Sequence, residues 1–297
     1  MQILDVLCHP QIMTKGVGGA LWSGGPVSDL GYSDNTDPMQ AASSCSGGLV
    51  VSVVSHGHGP LVGALLQDLA RYCKASVTRV VLTLNQADEP LPPHQLWPFE
   101  LQVRRNQQPL GFGANHNRAL CDAKEHCVCV LNPDVRLTSD PFGALVAAVL
   151  QPGVGCAYPV QVDGVGKEQD SERALPTPAA LWRRRILRHG EARVDWVNAA
   201  CLVLPRTVWQ QVGGFDERYF MYCEDVDLSL RIRLAGWAIR RVPVVIVHGG
   251  ERASHRRLRY LLWHVRSLLR LWLSPVYRQA KDLLPLDIHS SRRIGPP

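Results

Sequence analysis

From Leu49 onward, short β-branched runs alternate with amphipathic stretches, and this alternation restricts the possible folds more than any other feature of the chain. LVVSVVS (49–55), VTRVVLTL (77–84), ELQVRR (100–105) and CVCVLN (127–132) read as strands, and the stretches near 60–73 and 113–126 read as helices. Val- and Leu-rich strands joined through helices specify right-handed βαβ units and a mostly parallel sheet. Ligands of such open sheets lie beyond the carboxyl ends of the strands. Ser55, Asn85, Asn106 and Asn132, at or just after those four ends, are therefore expected on one crevice.

The second half has a different pattern. VDWVNAACLVLP (194–205) reads as a strand, and GGFDERYFMYCEDVDLSLRIRLAGW (213–237) as an aromatic loop running into a helix that ends at Gly236. AIRRVPVVIVH (238–248) reads as a further strand. Residues 161–193 are polar, arginine-rich and interrupted by prolines, which suits a mobile surface loop. Residues 1–48 hold 8 of the 25 glycines and show no periodic apolar face, so a disordered extension is expected there, with Met39 as the natural start.

A chain of 297 residues, 46% of them hydrophobic, can bury a substantial core without disulfide or metal support. The net charge of +6 is uneven: −3 over residues 1–48, +2 over 49–248 and +7 over 249–297. A nucleic-acid partner is not expected, because a folded body carrying only +2 lacks the basic stripe such proteins show. Nine cysteines without a C-x-x-C pair suit neither a disulfide framework nor a zinc knuckle, and read as reduced core thiols. With no long uncharged apolar stretch and no basic-then-apolar start, a cytoplasmic location is expected.

Four motifs could carry chemistry. Asn132-Pro133-Asp134 follows a strand at the ligand edge, where a carboxylate can hold a divalent cation; it is also a common turn. Glu224-Asp225-x-Asp227 opens a helix, which the helix dipole favours, and Asp227 with Arg231 makes an ordinary i,i+4 pair. The preceding Tyr219, Phe220, Met221 and Tyr222 form an apolar wall of the kind that raises a carboxylate's pKa toward a general base's range. His248 ends a strand before two glycines, as a structural histidine or a metal ligand would. Gly111-Phe112-Gly113 with Asn115 and Asn117 is either a tight turn opening a helix or a set of amides facing a sugar or base; His116 breaks the dinucleotide pattern.

Taken in order, NQQPLGFGANHNRAL (106–120), VLNPDVRL (130–137), the block 194–237 and VVIVHGG (244–250) resemble the family-2 inverting glycosyltransferases of the GT-A fold, in particular the rhamnosyltransferase-like branch that builds bacterial surface polysaccharides. The resemblance spans roughly residues 49–270. It implies a GT-A domain over 49–250, with a nucleotide-binding sheet flanked by helices, followed by a basic amphipathic helix and tail over 251–297. It implies a sugar, plausibly L-rhamnose from a dTDP donor, passing to a saccharide or polyprenyl-linked acceptor.

By that resemblance Asp134 and His248 hold a divalent cation, Mg or Mn, and Asp225, with Glu224 beside it, is the base. Ser55, Asn85, Asn106, Gly111, Gly113, Asn115, Asn132 and Asp134 fall on the donor side, and Trp196, Asn198 and Tyr222 on the acceptor side. The chain departs from the family at Ser55-His56-Gly57, where Thr-Tyr-Asn is common, and at Leu84-Asn85, where an aspartate that helps hold the nucleotide base usually precedes the asparagine. A sugar-nucleotide pyrophosphorylase would want a basic glycine-rich loop after the first strand, and SHGHGP has no lysine or arginine. A catalytically silent saccharide-binding module is the other alternative, with Leu84 as its sign.

The tail sequence 256–273 places Leu258, Leu261, Leu262, Val265, Leu268, Leu269 and Trp272 on one helical face and Arg256, Arg259, Arg266 and Arg270 on the other. Such a helix either packs on the domain or lies on an anionic membrane surface, peripheral to the inner face of the plasma membrane.

Overall fold

The computed structural model describes residues 48–92, 95–177, 194–249 and 257–283. The expectations for residues 1–47, including the start at Met39, lie outside the described residues.

Strands β1 (Leu49–Ser55), β2 (Val77–Leu84), β3 (Glu100–Arg105) and β4 (Cys127–Leu131) run parallel in the order β3-β2-β1-β4. The near-continuous apolar runs of β1, β2 and β4 follow from burial on both faces, whereas β3 at the sheet edge is polar and half-buried. Leu49, Val51 and Val53 point into one core layer with Leu65, Leu66 and Leu82. Val50 points into the other with Val81, Val128 and Val130. Helix α1 (Gly59–Tyr72) covers the first layer with Val62, Leu65, Leu66 and Leu69, an i, i+3, i+4, i+7 stripe, and starts favourably with Pro60 in its first turn. Each fully buried leucine of this stripe contributes about 1.5–3 kcal/mol. Helix α2 is shorter than its pattern predicts, Phe112–Leu120, and the rest of that stretch is turn leading into β4.

Beyond β4 the sheet continues with β9 (Cys201–Pro205), β6 (Val154–Val162), β10 (Ala238–His248) and β5 (Val135–Arg136). β10 is parallel to β6, β9 is antiparallel to both β4 and β6, and β5 is antiparallel to β10, so the eight-stranded sheet is mixed but mostly parallel. The β5–β10 register sets His248 opposite Val135, the residue after Asp134. Helices α3 (Phe142–Val149) and α4 (Arg206–Val212) follow β5 and β9.

Two sequence expectations change here. The stretch 194–205 is two elements, because β8 (Trp196–Val197) leaves the main sheet to pair with β7 (Glu172–Arg173) and a turn precedes β9. The polar segment after 161 is not simply a surface loop. β6 extends through Val162, and Gln161, Ser171 and Arg173 are buried; residues 178–193 lie outside the described residues.

Helix α5 (Glu224–Leu234) carries the acidic motif and ends at Ala235 before Gly236, whose φ of 85° is left-handed. Helices α6 (Arg257–Leu273) and α7 (Pro275–Leu283) then dock on it. Leu268, Leu271, Tyr277 and Ala280 share a third core cluster with Val226, Leu230, Tyr219 and Trp196. The Ser267 hydroxyl donates to the Met221 carbonyl at 2.8 Å, tying α6 to the loop before the acids.

Candidate functional site

Two carboxylate centres meet at the carboxyl edge of the sheet. The first joins β4 to β10. Asp134 Oδ1 lies 3.4 Å from His248 Nε2, each side chain only 15% exposed. Gln169 brackets the histidine: its Oε1 lies 3.1 Å from Nδ1, and its amide donates to the His248 carbonyl at 2.8 Å. The contact of Nδ1 with Gln169 Oε1 fixes the ring and directs Nε2 at Asp134. Burial pulls the Asp134 pKa upward, but the hydrogen bond and charge of His248 outweigh it and hold the carboxyl below its ordinary range. The Gly249 N–H donates to the Asp134 carbonyl at 2.9 Å, and a β-carbon at Gly249 would stand 3.3 Å from that oxygen, so the close approach favours glycine.

The second centre opens α5. Tyr222 and Cys223 take left-handed φ values of 72° and 64°, a conformation that non-glycine residues adopt at a cost of about 1–3 kcal/mol each. Directly after this turn Glu224 is buried, while Asp225 keeps part of its surface open. Burial pushes Asp225 up to about 6, against the N–H groups of Val226 and Ala199 and the charge of Arg173. Burial, then the neighbouring Asp225 charge, pushes Glu224 well above its ordinary value, and its Oε2 finds no hydrogen-bond partner among the described residues. Asp227 is the helix-stabilising acid, paired with Arg231 at 2.7 Å.

The turn between β8 and β9 links the centres. Ala199 donates to Asp225, while the Ala200 carbonyl accepts from the Asn132 N–H at 2.9 Å, two residues before Asp134.

The asparagines form an internal lattice. Asn106 donates to Asn85 Oδ1 at 2.8 Å and to Asn115 Oδ1 at 2.6 Å; Asn85 exchanges hydrogen bonds with Leu110, and Asn115 donates to the Gly111 carbonyl at 3.0 Å. Asn85 and Asn115 are buried, so their amides shape the loop 106–111 rather than face a ligand. Gly111 allows the aromatic loop to approach closely: a β-carbon there would stand 2.8 Å from the Phe220 carbonyl, and one at Gly113 would meet Phe215. Asn117 anchors the same aromatic loop through Phe215.

Trp196 requires a correction. It is 3% exposed, donates its indole N–H to the Ala174 carbonyl and stacks under Arg173, which makes it core rather than an acceptor surface. Asn198 pairs with Gln161 at 2.6 Å, Tyr222 stacks on His264, and Ser55 is buried with its hydroxyl donating to Glu89. Sequence reasoning missed Glu89, Gln169, Arg173 and His264. Gln169 and Arg173 sit in the segment read as surface loop, and no local pattern marks Glu89 or His264.

The apolar face expected of α6 also divides. Leu268 is buried, Leu261 and Trp272 are half-buried, and His264, Ser267 and Leu271 complete the docking face. Leu262 (68% exposed), Leu269 (50%) and Leu273 (75%), with Val265, remain on the surface beside Arg266. No helix among the described residues is long and apolar enough to cross a membrane.

Residues 48–270 match the family model of the glycosyltransferase-like family 2. The N-acetylglucosaminyl-diphospho-decaprenol L-rhamnosyltransferase of Mycobacterium tuberculosis (strain CDC 1551 / Oshkosh) is 31% identical over 245 residues, covering 70% of this chain and 80% of that protein. Rhamnosyltransferase WbbL of Escherichia coli (strain K12) is 35% identical over 266 residues, covering 74% and 90%. Among solved structures, a Pyrobaculum calidifontis mannosyltransferase in complex with GDP-Man and Mn2+ superposes with a TM-score of 0.52 at 18% identity, over 75% of this chain and 64% of that one. GalNAc-T7 with UDP, GalNAc and Mn2+ gives 0.55 at 15%, over 77% and 49%. The structural likeness establishes the GT-A fold, and the family match sets aside the pyrophosphorylase and silent-module readings.

Proposed function

The chain belongs to glycosyltransferase family 2 and is a glycosyltransferase of cell-surface polysaccharide synthesis, and from that premise we propose that it transfers L-rhamnose from a nucleoside-diphosphate donor to a polyprenyl-diphosphate-linked saccharide, with inversion. The observation that carries this reading is the pair of linked centres, one carboxylate held low beside an imidazole and the other raised to about 6. Centres pushed apart in this way assign opposite roles, charge binding and proton acceptance. The relatives' printed activities supply the sugar and the acceptor.

Asp225 accepts the proton of the acceptor hydroxyl as its oxygen bonds to the anomeric carbon. The bond from that carbon to the diphosphate oxygen breaks, and the electron pair leaves on the nucleoside diphosphate. One attack from the face opposite the leaving group inverts the centre. Glu224, buried and raised, stays neutral and leaves the negative charge on Asp225. Asp134 and His248 have the donor set of a divalent-cation site, an oxygen and an imidazole nitrogen fixed from behind by Gln169, and bound Mg or Mn would neutralise the diphosphate as it departs. Mn2+ in the mannosyltransferase complex supports this assignment.

The leucine stripe of α6 supports peripheral docking on an anionic membrane surface, which would bring the acid helix to a lipid-linked acceptor. Leu262, Val265, Leu269 and Leu273 form the apolar contact, and the +7 of residues 249–297 supplies the charge complement.

The test is a donor screen with and without Mn2+. The protein is incubated with dTDP-, UDP- and GDP-sugars and a synthetic short-chain N-acetylglucosaminyl-diphospho-prenol, and product is followed by mass spectrometry. Cation-dependent transfer from dTDP-rhamnose is expected; transfer from another donor only would overturn the rhamnose assignment. Co-sedimentation should show binding to anionic but not neutral vesicles, lost in Leu262→Glu/Leu269→Glu. Equal sedimentation of that variant would overturn the docking assignment.

A further inference from the structure

Resting on the reading of Asp134–His248 as the cation site and Asp225 as the base, we infer that Gln161 and Asn198 are positioning residues whose paired amides fix the two centres relative to one another. The two side chains bond reciprocally: Gln161 Nε2 donates to Asn198 Oδ1 at 2.6 Å, and Asn198 Nδ2 donates to Gln161 Oε1 at 3.1 Å. Gln161, next to last in β6, is 1% exposed, and Asn198 leads into the turn between β8 and β9.

Each partner supports one side of the site. Beyond Asn198, the Ala199 N–H bonds Asp225 and the Ala200 carbonyl accepts from the Asn132 N–H at 2.9 Å. The Asn198 oxygen that meets Gln161 also accepts from the Ala200 N–H at 3.4 Å, so one atom braces the turn from both directions. Beyond Gln161, its carbonyl accepts from the Gln169 N–H at 2.8 Å, and the Gln169 side chain holds His248 at its carbonyl and at Nδ1. The β6–β10 register sets Gln161 opposite Ile246, two residues before His248. The amide pair is thus where the supports of the two centres join.

Backbone pairing does not supply this junction. The ladder between β6 and β9 consists of Ala157 with Val203, four residues before Gln161. The Asn198 N–H does donate to the Ser171 carbonyl at 3.0 Å, which keeps the segment tethered without the side chains. What the amides add is direction, because each presents a donor and an acceptor in one plane and accepts a single arrangement of its partner. Replacing both members of a buried hydrogen-bonded pair by apolar groups of the same shape is nearly neutral for folding. Their contribution is therefore to geometry, where a displacement of about 1 Å can cost about a hundredfold in rate.

The experiment uses the full chain with Gln161→Met/Asn198→Leu, which keeps the volume and removes the bonds. Its melting temperature should stay close to that of the wild-type protein. Mn2+ affinity, measured by calorimetry without donor or acceptor, should fall at least about tenfold. The acid limb of kcat/KM for transfer should move above pH 6, because the turn no longer holds the Ala199 N–H on Asp225, while its charged neighbours Glu224 and Arg173 are left in place. The exchange Gln161→Asn/Asn198→Gln, which restores a reciprocal pair of the same total length, should recover both readouts. If the apolar double variant does not fold, Gln161→Asn alone, one methylene short of its partner, carries the same two measurements. A folded variant with unchanged Mn2+ affinity and an unchanged limb overturns the inference and leaves the proposed function standing. A change in only one of the two overturns it as well, since the pair would then serve a single centre. A wild-type protein that binds no Mn2+ overturns the cation-site reading and this inference together.

Discussion

Asp134 and Asp225 are aspartates linked through the turn between β8 and β9, and the fold moves their pKa values in opposite directions. Asp134 faces His248 across an antiparallel pairing and is held low; Asp225 follows an apolar turn, receives only backbone N–H groups and a more distant arginine, and is raised to about 6. Burial acts upward on both. What separates them is the His248 imidazole 3.4 Å from Asp134, a side-chain partner that outweighs burial there and has no counterpart beside Asp225. The contrast shows that burial raises a carboxyl unless a side-chain partner outweighs it.

The strongest way to break the comparison is to exchange the roles. Asp225→Asn keeps size and hydrogen bonding but cannot take a proton, so kcat should fall about a hundredfold or more with donor KM unchanged. A larger loss in Glu224→Gln would move the base to Glu224. Asp134→Ala should abolish cation-dependent turnover while the protein still melts cooperatively, and near-normal rates in Mn2+ would remove Asp134 from the metal site.

A pH profile sharpens the contrast further. Asp225 must be ionised to act, so kcat/KM should fall about tenfold per unit below pH 6. A limb near 4 would mean that the base is an unperturbed carboxylate.

The smallest effect is on stability, and its sign is the discriminating feature. The fold favours neutral Asp225, so its contribution is full below the ordinary aspartate value, about 4, and is lost as pH rises through about 6. Asp134 is lowered, so its contribution is present above the ordinary value and lost as pH falls. Without added cation at pH 7, Asp225→Asn should therefore raise the melting temperature and Asp134→Asn lower it. Shifts of the same sign would show that the two environments are not opposed.

The periodicities that define the fold are local, and local patterns were legible. β1 and β2 fall where their apolar runs predict, because strands buried on both faces leave an uninterrupted signal bounded by polar turns. The acids at the start of α5 and the Asn-Pro-Asp turn were legible for the same reason, since helix dipoles and strand ends favour those residue types.

What the sequence alone determined is therefore the alternating α/β order, the family and the short list of acids. Tertiary structure decided which of those residues are brought together and which are buried. The β5–β10 register brought Asp134 to His248, a left-handed turn sent Glu224 inward and left Asp225 open, and β8 leaving the main sheet buried Trp196. Docking of α6 on the third core used half of its apolar arc and left a leucine stripe outside. The physical reason is that propensity and periodicity act over a few neighbouring residues. Burial and partner charge are set by elements far apart in the chain, and those decide a carboxyl's pKa and a side chain's exposure.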